Sequence, residues 1–111
     1  MKNREYCSFD ADQEKYYSQH PEEIASYLEI VFEEYAKDGC TPALLSSLRM
    51  IARAQGISNL ARKSGMTRNG IQKALSETGN PGLHNINNIF NAMGFNFAPV
   101  VREKTSELSH A

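Results

Sequence analysis

The chain has 111 residues, enough for one domain with a modest core. Hydrophobic residues make up 41% of it and charged residues 23%, a balance that excludes an intrinsically disordered chain, and no apolar run approaches the roughly 18 residues of a membrane span. The net charge of −1 is laid out unevenly: residues 1–38 hold ten acidic and four basic side chains, whereas residues 39–76 hold no acid and six cations, Arg49, Arg53, Arg62, Lys63, Arg68 and Lys73. An acid-free run of this kind presents a positive field that suits a polyanion, although a solvated cationic face has the same composition.

The opening MKNREYCSFDADQEK is polar and mixed in charge, which is not the plan of a signal peptide, so a cytoplasmic protein is expected. Residues 1–19 lack periodicity and read as a flexible arm, with Phe9, Tyr16 and Tyr17 available to dock locally. Cys7 and Cys40 stand without other ligands in a usable spacing, so both read as reduced thiols and neither metal nor cofactor is expected.

From His20 the pattern changes. Pro21 followed by Glu22 and Glu23 marks a helix start, and Ile24, Leu28, Val31, Phe32 and Tyr35 then recur at three- and four-residue steps up to Asp38-Gly39. Thr41 as N-cap with Pro42 behind it opens a second helix, whose buried face is Leu44, Leu45, Leu48, Ile51 and Ala52 and which stops at Gly56. Two short helices are expected over 58–64 and 67–75 around Gly65. The run SETGNPG reads as a loop, a last helix spans about 83–93, and Gly94 closes it. Phe95, Phe97 and Val100-Val101 suggest a short extended segment that Pro99 confines to a sheet edge. The expected architecture is therefore all-α: five helices in one domain over 20–101, with a frayed tail over 102–111.

The segment ISNLARKSGMTRNGIQKAL has the spacing of a helix-turn-helix. Ala61 sits where the first helix must approach the second, and Gly65, four residues on, sits at the turn, where positive φ costs Gly nothing. Met66 and Ile71 fix the second helix to the domain, with Leu60 and Ala74 completing the buried set. The competing reading is an αα-hairpin used only for packing. If the second helix begins at Thr67, its outward positions are Thr67, Arg68, Asn69, Gln72 and Lys73. Arg and Lys can donate to guanine O6 and N7, and Asn and Gln can pair with adenine, so these five are the expected base readers. Thr67 is expected to cap the helix, leaving free amides that can meet a phosphate. Arg62 and Lys63, with Asn80, His84 and Asn85 at the start of the last helix, are assigned to phosphates. Gly70 inside the helix costs about 1 kcal/mol in propensity, which a close backbone approach would explain.

LARKSGMTRNGIQKAL and the later GNPGLHNINNIFNAMG resemble the Cro/C1-type helix-turn-helix of phage repressors. Residues 9–98, through FDADQEKYYSQHPEEIASYLE and CTPALLSSLRMIARAQGISNLARKSGMTRNGIQKALSETGNP, resemble the addiction-module antidote proteins, helix-turn-helix antitoxins related to the HigA group. That resemblance implies a small dimer that binds double-stranded operator DNA, represses its own operon and neutralises a toxin of the RelE/ParE type. One departure stands out. Many phage repressors begin the first motif helix with a phosphate-binding Gln, and this chain has Ile57 there, which moves the expected clamp to Ser58 or Asn59.

Phe90, Met93, Phe95, Phe97, Val100 and Val101 form an apolar C-terminal set that reads either as core or as a homodimer surface, and the resemblance favours the surface. Glu29, Glu33 and Glu34 on the acidic first helix are the expected toxin contacts. An enzyme is not expected, since no nucleophile–base or phosphate-loop spacing occurs. The rival readings are a phage-type regulator without a toxin and a protein-interaction module built on the acidic helix.

Overall fold

The computed structural model describes residues 2–99 and 101, with side chains from residue 11 onward. Six α-helices follow in order: α1 (Lys2–Gln19), α2 (Ile24–Asp38) entered through a 3-10 turn at Pro21–Glu23, α3 (Thr41–Gln55), α4 (Ile57–Ser64), α5 (Arg68–Ala74) and α6 (Leu83–Met93). Among the described residues there is no strand, so the class is all-α. Where the extended segment is expected, residues 95–99 and 101 are irregular chain instead. Gly94 takes the left-handed conformation, and the Phe95 amide turns back to donate to Phe90 O at 2.8 Å, closing α6 rather than joining a ladder.

The largest departure from expectation lies at the start. Residues 2–19, read as a flexible arm, are helical, and α1 packs along α3. Its sequence shows no regular apolar stripe. Tyr17 rests on the core and lies 4.9 Å, centroid to centroid, from Tyr27 of α2. Packing, not intrinsic amphipathicity, holds such a helix. His20 ends α1 by placing Nδ1 2.9 Å from Tyr16 O, and the Tyr16 hydroxyl donates to Glu23 Oε1 at 2.8 Å. That hydrogen bond, followed by desolvation and nearby charge, holds the Tyr16 phenol above its ordinary titration range.

α3 is the centre of the fold. Leu45, Leu48, Ile51 and Ala52 are buried as the periodicity requires, but so is Met50. Two positions on a helix are about 200° apart, so Met50 lies nearly opposite Leu48. α3 packs against α1, α2 and α4, and is covered on more than one side. Cys40, not Thr41, is its N-cap residue: Thr41 and Pro42 already lie inside the first turn, and no side chain caps it. The Cys40 amide is instead taken by Asp38 Oδ1 at 2.9 Å. Ile24 and Leu28 of α2, Leu60 of α4, Ile71 and Leu75 at α5, and Ile89, Phe90, Ala92 and Met93 of α6 complete one continuous core.

Candidate nucleic-acid interface

The turn between α4 and α5 follows from three residues. Gly65 adopts φ 77°, and its amide donates to Ala61 O at 3.1 Å. Ser64 Oγ then accepts from the Met66 amide at 3.2 Å, satisfying a donor that the turn exposes. Leu60 and Ile71 are buried, and Ala61, Met66 and Ala74 pack against the same core, so the apolar set expected of this segment is the one that fixes it. Thr67 is extended (φ −81°, ψ 160°) and its Oγ1 accepts from the Gly70 amide at 2.9 Å, the expected N-cap. A Cβ on Gly70 would stand 3.0 Å from that same Oγ1. The cap is thus a close neighbour of Gly70, besides the backbone approach expected there.

With Ile71 and Leu75 turned inward, Thr67, Arg68, Asn69, Gln72 and Lys73 are all exposed on α5. The C-terminal end of this helix is tied down twice. Arg49 Nη1 of α3 donates to Leu75 O at 2.7 Å. Ser76 bonds back to Lys73 O through its hydroxyl at 2.9 Å, and the Gly79 amide donates to Ser76 O at 2.9 Å. The chain at Gly79 passes so close beneath α5 that a Cβ there would lie against Ala74 O and 2.8 Å from Lys73 O. Sequence reasoning saw only a loop in SETGNPG; two glycines in seven residues were the available signal.

Of the residues assigned to phosphates, Ser58, Arg62, Lys63, Asn80 and His84 are exposed, while Asn59 and Asn85 are half-buried. Asn59 Oδ1 accepts from Arg62 Nη2, so Asn59 orients a guanidinium. His84 Nε2 and Asn88 Nδ2, one turn on, lie 3.3 Å apart. α6 begins at Gly82 without a side-chain cap, next to Leu83, which is 71% exposed. An open cleft of about 310 Å³ separates the end of α1 from α4, with Tyr17 and Ser18 on one wall and Asn59 and Lys63 on another.

The apolar C-terminal set divides. Phe90 and Met93, expected as dimer contacts, are only 4% and 7% exposed in a single chain, so they are core side chains with almost no surface to give a partner. Phe95 packs against the core. Phe97 is 45% exposed and stacks on Phe90 with centroids 5.4 Å apart, Val101 is exposed, and Val100 lies outside the described residues. On α2, Glu29, Glu33 and Glu34 are exposed around Ile30, which is itself 57% exposed. Among the described residues no three His, Cys, Asp or Glu side chains group as metal ligands, and no helix is long and apolar enough to cross a membrane.

These features define a small helical protein with a short helix presented outward on a cationic, acid-free part of the chain. The chain belongs to the family described as "Probable addiction module antidote protein", whose match spans residues 5–101. It is also 38% identical over 76 residues to a protein of Haemophilus influenzae described only as "Uncharacterized protein", an alignment covering 68% of this chain and 74% of that one. No solved structure matches it. Membership places the chain with the antitoxins of toxin–antitoxin modules, which implies a toxin partner in general.

Proposed function

We propose that the chain is a sequence-specific DNA-binding repressor as well as an antitoxin, and that α4 and α5 act as a Cro/C1-type, HigA-like helix-turn-helix. The observation that carries this reading is the division of α5: Ile71 is fully buried, while Thr67, Arg68, Asn69, Gln72 and Lys73 stand in solvent on a segment free of acids. Arg68 and Lys73 can donate to guanine O6 and N7, and Asn69 and Gln72 can pair with adenine, all from the one solvated side of the helix. Arg62, Lys63 and Ser58 would meet the sugar–phosphate backbone, with Asn59 fixing Arg62, and Asn80, His84 and Asn85 would hold the adjoining strand. Two-fold operators call for a homodimer, and Phe97 and Val101 are the exposed apolar side chains available at the C-terminal end.

The toxin partner is read as RelE/ParE-like, and Glu29, Glu33 and Glu34 as contacts to its basic surface, in a cytoplasmic complex. Direct support is the exposure of all three carboxylates around Ile30. An apolar centre within a charged rim is the common anatomy of a protein interface. The test is a gel shift with the DNA upstream of the chain's own gene against a scrambled duplex of equal length. A retarded band specific to the upstream DNA is expected; equal binding to both, or to neither, removes the repressor reading.

A further inference from the structure

α5 is only seven residues long, too short to be stable by itself. At its end Ile71 O accepts from the Leu75 amide and Lys73 O from Ser76, and the end carries the negative pole of the helix dipole. Leu75, the residue that closes it, is fully buried, and its carbonyl accepts from Arg49 Nη1 at 2.7 Å. Arg49 lies on α3, 26 residues earlier, and is half-buried. Its charge counts among the six cations of the acid-free stretch, yet its Nη1 is given to the carbonyl that closes α5. Arg62, Lys63, Arg68 and Lys73, by contrast, are exposed. Buried Ile71 and Leu75 set which side of the helix faces outward, Thr67 caps its start, and Arg49 with Ser76 holds its end.

We infer that Arg49 is a positioning residue for α5 and contacts no phosphate, an inference that rests on the reading of α5 as the recognition helix. Losing a hydrogen bond to a charged group corresponds to roughly ten- to a hundredfold in an equilibrium. Arg49→Met should therefore raise amide hydrogen exchange at Gln72 to Leu75 by at least about tenfold, with α2 amides unchanged. Binding to the upstream DNA should weaken and discriminate less between operator and mismatched duplex. The slope of log affinity against log salt should stay at the wild-type value, because no phosphate contact is lost, whereas Lys63→Ala should reduce it by about one.

A slope reduced by about one in Arg49→Met, with base preference intact, would make Arg49 a phosphate contact and overturn the inference. So would wild-type exchange throughout α5. If the wild-type chain fails to bind the upstream DNA, the operator reading falls, and exchange in α5 decides the role of Arg49 by itself. Should Arg49→Met unfold the whole domain, Arg49→Gln, neutral and too short to reach Leu75 O, takes its place. Faster exchange confined to α5 supports the inference and unchanged exchange overturns it.

Discussion

Arg68 stands exposed in the first turn of α5, just after the Thr67 cap. A guanidinium there can donate to guanine O6 and N7 together, so Arg68→Ala should cost on the order of 1–3 kcal/mol and relax preference at one base pair per half-site. Competition assays over a set of singly substituted operators check this, and an unchanged preference would mean that α5 is not the reading helix. Gly79 is a different kind of residue: its amide bonds Ser76 O, and the lack of a side chain lets the loop pass close to α5. A Cβ would meet the carbonyls of Lys73 and Ala74, both backbone, so Gly79→Ala should destabilise by about 1–3 kcal/mol. A thermal melt measures it, and a melting temperature equal to wild type would show that the loop moves aside freely. The sequence made Thr67, Gly65 and Ile71 readable, since each follows from local spacing. Gly79, Ser64 and Arg49 were not, because their roles depend on what lies across the fold.

At the level of elements, periodicity identified every helix with a continuous apolar stripe. The limits of α3 at Gln55 and of α6 at Leu83 and Met93 agree with the pattern. α1 escaped because its stabilising contacts come from α3 and from the Tyr17–Tyr27 pair, not from a stripe of its own. Met50 was missed for the related reason that α3 has a second covered side. Glu29, Glu33 and Glu34, the proposed toxin contacts, are all exposed on α2. Opposite charge across an interface mainly speeds encounter and selects partners. On the proposed reading, reversing these three to Lys should slow association with the toxin partner and leave binding to the upstream DNA intact or slightly stronger. Stopped-flow association and a gel shift on one purified variant test both halves. Unchanged toxin association with lost DNA binding would mean that the two faces are assigned the wrong way round.

Across the whole molecule, the charge partition along the chain becomes a division between elements. The ten acids of residues 1–38 fall on α1, the turn before α2 and α2 itself, and the six cations of 39–76 fall on α3, α4 and α5. Of these six, Arg53, Arg62, Lys63, Arg68 and Lys73 are exposed, and Arg49 is half-buried with Nη1 on Leu75 O. The central claim is that this surface holds the phosphate backbone while α5 reads bases, and the salt dependence of binding tests it most directly. A dimer making about 6 to 8 phosphate contacts should lose roughly three decades of affinity for its upstream DNA between 50 and 200 mM salt. The titration follows Kd by fluorescence anisotropy on a labelled duplex at fixed pH. A steep linear fall of log affinity with log salt is the predicted result, and an affinity that stays flat across that range would contradict it.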